Sequence, residues 1–204
     1  MKAIRRDNST KREKLALRKL MMRQIDGAPV VMETHGGVGQ IWASCYAHLA
    51  RGVVFEKDAE KAAILAQQRP TWAVYEADCV SSLAGGAGDH LVVDVLDVDP
   101  YGQPWPTIEA FFSSERPRAA CLWVVVQDGL KQKIKAGGAW AVKSLAGIVK
   151  RFGNDLLDRY IDVCRILLEE HASQAGYSLA RFSGYYCGAS GAMTHYLARL
   201  EIGG

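Results

Sequence analysis

The residues best equipped for chemistry stand together in the fourth apolar run of the chain, Asp97-Val98-Asp99-Pro100-Tyr101-Gly102. A carboxylate held beside a backbone carbonyl can receive the hydrogens of an exocyclic amine and help localise a lone pair otherwise delocalised into its ring. Asp99 is the acceptor in this reading. Pro100 fixes φ and stiffens the loop, and Tyr101 offers a face on which a planar base can stack. A second constellation precedes it: Glu33-Thr34-His35-Gly36-Gly37-Val38-Gly39 leaves an apolar run and enters a helical one, placing small residues where backbone must turn tightly beside a ligand. Glu56 closes the next apolar run, where its carboxylate can accept both hydroxyls of a ribose. Asp78 closes the third and can accept from an adenine amino group, with the Cys79 amide beside it. Asp58, directly before a helical stretch, fits a capping role better.

Those residues need a scaffold that lines up strand ends. Apolar runs at 30–33, 52–56, 72–76, 90–98 and 119–127 alternate with helical periods at 40–51, 59–69, 107–114 and 154–174. Near-continuous Val, Leu and Ile separated by helices predicts a parallel sheet covered on both faces. Two further strand-like runs, 177–186 and 192–202, are joined by Cys187-Gly188-Ala189-Ser190-Gly191, a link suited to an antiparallel hairpin. The expected fold is therefore α/β: a Rossmann-like, doubly wound sheet of five parallel strands plus a C-terminal antiparallel hairpin, with helices on both faces. A nicotinamide site is disfavoured, because Trp42 stands where the third glycine of G-x-G-x-x-G lets helix and strand approach.

With the constellations in place, a resemblance follows. The order acid-x-x-x-Gly-x-Gly, with His35 in place of the usual first glycine, resembles the first motif of class I S-adenosylmethionine-dependent methyltransferases. The stretch Asp97-Val98-Asp99-Pro100-Tyr101-Gly102-Gln103-Pro104-Trp105-Pro106 resembles the D-x-D-P-[FY]-G-x-P-x-P segment of tRNA guanine-N2 dimethyltransferases, and residues 53–65 resemble bacterial rRNA guanine-N2 methyltransferases around their second strand. The resemblance implies S-adenosylmethionine as cofactor, held by Glu33, His35, Gly37, Gly39, Glu56, Asp78 and Cys79, with the Gly37 and Gly39 amides as donors and His35 along the methionine tail. It implies Asp99, Pro100 and Tyr101 as the catalytic loop, acting on guanine N2 in RNA, and no metal. Two departures stand out: the large C-terminal domain of the tRNA enzymes has no counterpart here, and Tyr101 replaces the second proline of the D-P-P-[FY] loop. Adenine-N6 methylation of DNA, or a cofactor-binding subunit without catalysis, are the alternative readings.

Composition bounds the partners. The 204 residues, 49% hydrophobic, suit one substantial core, and a net charge of +3 does not by itself announce a nucleic-acid binder. Charge is unevenly spread, however. Residues 1–26 form a basic N-terminal extension, expected to hold a helix over 11–23, capped by Asn8-Ser9-Thr10 and docking through Leu15, Leu17, Leu20 and Met21. Residues 27–204 form the catalytic domain. Lys131, Lys133, Lys135, Lys143, Lys150 and Arg151 follow the fifth strand, with Gly137-Gly138 among them. Together with the basic helix they could track a phosphate backbone, RNA being favoured over DNA. Trp105 is read either as a stacking surface for a base or as core, while Trp42, Trp72, Trp123, His171 and His195 are read as structural. Five scattered cysteines, no apolar span and no signal core predict a reduced, cytoplasmic protein away from membranes, with a protein partner left open.

Overall fold

The computed structural model describes residues 10–135, 147 and 150–203. The elements run α1 (Lys11–Met22), β1 (Val31–Glu33), α2 (Gln40–Cys45), β2 (Gly52–Glu56), α3 (Ala59–Gln68), β3 (Ala73–Glu76) and α4 (Cys79–Ala84). They continue with β4 (Val95–Val98), α5 (Trp105–Ser113), β5 (Cys121–Asp128), α6 (Leu130–Lys135), α7 (Tyr160–Gln174), β6 (Tyr177–Cys187) and β7 (Met193–Ile202). One sheet holds all seven strands in the order β3-β2-β1-β4-β5-β7-β6. The first five are parallel, and β7 lies antiparallel between β5 and β6. This is the doubly wound sheet with a C-terminal hairpin that the apolar runs predict.

Successive strand residues point to opposite faces, and each face feeds its own core. Met32, Val53, Phe55, Leu96, Val98, Val124 and Val126 pack with α5 and α7 through residues such as Ile108, Phe111, Val163 and Leu167. Val31, Val54, Val95, Trp123 and Val125 pack on the other side with Leu17, Met21, Tyr46 and Leu65. Helices therefore cover both faces, which leaves the crevice beyond the strands' carboxyl ends, where the order reverses between β1 and β4, as the place for ligands.

Several boundaries differ from the sequence expectation. Helix α2 ends at Cys45 instead of running to residue 51, because Tyr46 turns inward and donates through Oη to Asp97 at 2.7 Å. Strand β4 begins only at Val95; before it, Asp94 accepts from the Val30 amide at 2.8 Å and ties the approach to β1. Helix α7 begins at Tyr160, after a 3-10 turn at Gly153–Leu156. Helix α5 starts two residues early, with Pro106 in its first turn, where a missing N–H is harmless. At the start of α1, Thr10 makes no side-chain cap bond, while Asn8 and Ser9 lie outside the described residues. The docking face of α1 is Leu17, Arg18 and Met21; Leu20 is 48% exposed and faces away. Trp105 is core: it is fully buried, with its ring stacked on Tyr196 at 6.3 Å and His171 at 6.5 Å between centroids.

Candidate active site

A cavity of about 590 Å³ opens at the carboxyl ends of β1, β4 and β5, lined by His35, Gly36, Gly37, Asp99, Pro100, Tyr101 and Gln127, with Lys14 reaching in from α1. The structure thus brings the glycine turn and the Asp99 loop to one space. Gly36 is tightly packed: a Cβ there would stand 2.5 Å from Leu65 Cδ1 and 2.6 Å from Val54 Cγ2, so those side chains would have to shift. Gly37 and Gly39 have φ of +54° and +78°, the left-handed region that side chains disfavour. A Cβ at Gly37 would meet nothing within 4 Å, so the backbone there faces open space.

The amides of this turn are spent internally. Gly37 N–H donates to Glu56 Oε2 at 2.8 Å, and Gly39 N–H donates to the Gly36 carbonyl at 3.0 Å. They are thus not free donors for a ligand, contrary to the reading of the sequence, and the turn offers close backbone approach instead. Glu56, half-buried at the end of β2, accepts a second bond from the Asp58 amide at 3.0 Å and so is held rigidly beside the turn. Asp78, exposed at the end of β3, caps α4 by accepting from the Val80 and Ser81 amides at 3.1 Å. Asp58 caps α3 through Lys61 N–H. Neither Glu56 nor Asp78 lines the cavity itself; both stand at neighbouring strand ends.

His35 lines the cavity and begins a polar string that runs to Cys79, which is buried behind it and does not line the cavity. Thr34 Oγ1 lies 2.9 Å from His35 Nδ1, His35 Nε2 lies 3.6 Å from Cys79 Sγ, and Cys79 Sγ lies 3.4 Å from Thr107 Oγ1. Burial lowers the His35 pKa and raises that of Cys79, so the string is neutral: imidazole and thiol. Glu33, in contrast, is not in the cavity. It is 2% exposed and paired with Arg69, whose guanidinium also lies 5.0 Å over Trp42 and 5.2 Å over Trp72. Burial pushes the Glu33 carboxyl up to about 7 despite the arginine.

The loop Asp99-Pro100-Tyr101 presents its aromatic ring to solvent. Tyr101 is 93% exposed, its ring free to receive a planar partner, and Gly102, with φ +113°, closes the loop by accepting from the Gly129 amide at 2.7 Å. What the sequence does not announce is the company Asp99 keeps. Lys14 Nζ donates to Asp99 Oδ1 at 3.0 Å and Oδ2 at 3.1 Å, and an Arg18 nitrogen lies 3.8 Å away. Arg18 is itself buried, donating through Nε to Asp97 Oδ2 at 2.6 Å. Two members of the basic helix thus turn into the protein rather than toward a phosphate backbone. A signal was available: acids two apart on a strand are about 6.6 Å apart, and bases four apart on a helix about 6 Å, so the pairs match. Lys131 lies 3.3 Å from the centroid of the Tyr186 ring, while Lys133, Lys135, Lys150 and Arg151 are exposed. Lys143 and Gly137-Gly138 lie outside the described residues.

No family model and no curated protein sequence matches this chain. Solved structures do. Trm1 from Pyrococcus horikoshii, in complex with S-adenosyl-L-methionine, is similar with a TM-score of 0.65 at 8% identity, over 94% of this chain and 54% of that one. The N-methyltransferase NodS from Bradyrhizobium japonicum, with S-adenosyl-L-homocysteine, is similar with a TM-score of 0.59 at 11% identity, over 97% and 90%. Magnesium protoporphyrin IX methyltransferase from Synechocystis gives 0.59 at 11% identity, over 95% and 83%. The chain has the class I methyltransferase fold. Within that fold the cavity, the glycine turn and Asp99 sit where open α/β sheets hold ligands. No helix among the described residues is long and apolar enough to cross a membrane.

Proposed function

We propose that this chain binds S-adenosylmethionine and transfers its methyl group to an exocyclic amine of a nucleobase, with guanine N2 in RNA the preferred acceptor. The observation that carries the reading is the meeting of the glycine turn and the Asp99-Pro100-Tyr101 loop on one cavity. The residues fit the cofactor: the open space beside Gly37 admits close approach, and two carboxylates stand at the next two strand ends. Glu56 would hold the ribose, Asp78 and the Cys79 amide the adenine, and His35 the methionine tail. Bound S-adenosylmethionine supplies a methyl group on a sulfonium that carries its own leaving group.

Asp99 receives an N–H of the acceptor amine and aims its lone pair, while Tyr101 supplies a stacking face and Pro100 keeps both in register. Catalysis is then mostly positioning, which can supply much of the barrier reduction. The RNA preference is supported by the D-x-D-P-Y-G-x-P-x-P resemblance. Calorimetric titration with S-adenosylhomocysteine tests the cofactor half of this reading. Saturable binding weakened by Glu56→Ala is the expected result, and no binding to the intact protein would overturn it. Transfer of labelled methyl to RNA and DNA pools, with Asp99→Ala as control, tests the acceptor half; label in DNA adenine alone would overturn the guanine assignment.

A further inference from the structure

Lys14 occupies the place where an amine would meet Asp99. Its Nζ donates to both carboxylate oxygens, and the two side chains are only 12% and 14% exposed. Lys14 lines the same cavity as Gly36, Gly37 and Asp99, so the ammonium stands within the acceptor space.

The helix carrying it is not a removable lid. One turn on, Arg18 Nη1 donates to the Lys14 carbonyl at 3.1 Å while the rest of the guanidinium grips Asp97, which also accepts from Tyr46 Oη. From the hairpin, Tyr185 Oη donates to the Glu13 carbonyl at 3.0 Å. The backbone at 13 and 14 is therefore fixed from two sides, and lifting α1 would leave Asp97 buried without its cation. Any acceptor molecule must share Asp99 with a resident lysine.

Sharing constrains what can enter. Lys14 and Arg18 together balance Asp97 and Asp99, so a protonated amine finds no net negative charge to draw it and meets a like charge instead. His195, 1% exposed, adds nothing: burial drives its pKa down to about 4, and it is neutral. A lysine drawn partly off Asp99 needs another acceptor, because an ammonium has donors only. Nucleobases provide one, since an unprotonated ring nitrogen flanks the exocyclic amine of adenine, guanine and cytosine. Gln127, 6% exposed and lining the same cavity, has an Oε1 with no hydrogen-bond partner among the described residues, a waiting acceptor for a further N–H.

Given a methyl acceptor held at Asp99, as proposed above, we infer that Lys14 is a specificity-determining residue: it donates to the ring nitrogen beside the amine that Asp99 receives, and it excludes protonated aliphatic amines. The test compares wild type, Lys14→Met and Lys14→Arg in the full chain, with unmodified RNA transcripts and spermidine as the two probes. Labelled methyl transfer to RNA is measured alongside calorimetric binding of spermidine in the presence of S-adenosylhomocysteine. Wild type is expected to label RNA and to show no spermidine binding. Lys14→Met should lose about tenfold or more in kcat/KM on RNA, roughly one lost charge-assisted hydrogen bond, and should bind spermidine saturably. Lys14→Arg, which keeps the charge, should retain most of the RNA activity, which a loss of folding would not allow. Wild-type rates on RNA for Lys14→Met, or spermidine binding by the wild type, would overturn the inference alone. A wild type that binds no S-adenosylhomocysteine would overturn the cofactor reading beneath it, and the inference with it.

Discussion

In the proposed reaction Glu56 serves the cofactor and Asp99 the acceptor, so separate substitutions should read the two halves. Glu56→Ala removes the carboxylate that braces the Gly37 amide and faces the proposed ribose position. Affinity for S-adenosylhomocysteine should fall about tenfold or more, the equivalent of one or two hydrogen bonds, in calorimetry. Asp99→Asn keeps the shape of the loop and loses the charge. It should reduce methyl transfer by about a hundredfold or more while cofactor affinity stays within a factor of about three. Equal losses in both assays for Asp99→Asn would place this residue in the cofactor site instead. Much of this site was legible, because glycines in a turn and an Asp-Pro-aromatic run are local signals that no tertiary contact need complete. Glu33 was not: nothing local says that an acid at a strand end faces a buried arginine 36 positions away rather than a ligand. Lys14 was hidden for the same reason, being one basic residue among many until Asp99 is brought against it.

At the scale of elements, α1 and β4 are joined by charge as much as by apolar contact. Arg18 and Asp97 are buried to 2% and 1% exposure, and removing one partner strands the other. Asp97→Ala should therefore destabilise the fold by about 3–5 kcal/mol in urea unfolding, well beyond an exposed ion pair. A loss below about 1 kcal/mol would mean that Arg18 finds water or another acceptor in the variant. The glycine turn gives a second prediction at this scale. Gly36→Ala pushes a methyl group into Leu65 and Val54, so β1 and α3 must separate slightly. A loss of about 1–3 kcal/mol in stability, as overpacking generally causes, should accompany weaker S-adenosylhomocysteine binding. Element order and type were readable from the alternation of apolar runs and helical periods. Element ends were not, because tertiary partners set them: the Tyr46 hydroxyl stops α2 by reaching Asp97, and Asp94 delays β4 by bonding Val30.

The molecule as a whole carries buried titratable groups that oppose one another with pH. Burial raises the Asp128 carboxyl to about 7, although it accepts from Leu130 N–H at 2.7 Å and Tyr160 Oη at 2.9 Å. A folded pKa above the unfolded 3.8 means stability that is complete below about pH 4 and is lost as pH rises toward 7. His195 acts in the other direction. Its folded pKa of about 4 lies below the ordinary 6.5, so its contribution is complete above 6.5 and is lost as pH falls toward 4. Denaturant unfolding at pH 5 and pH 7 should then separate them: Asp128→Asn should raise stability at pH 7 relative to pH 5 compared with wild type, and His195→Gln should do the reverse. Parallel profiles for wild type and both variants would show that neither group titrates across this window.

The placing of β7 between β5 and β6 has a consequence for the order in which the chain can fold. The backbone of β5 pairs with β4 along one edge, and its other edge is completed only by β7, residues 193–202. On a ribosome the parallel half of the sheet can assemble early, yet its open β5 edge stays a template for intermolecular pairing until the last strand emerges. Newly made chains are therefore most prone to aggregate in the interval between the emergence of β5 and that of β7, and a nascent chain stalled just before residue 193 should be captured by chaperones far more than one stalled well past residue 202.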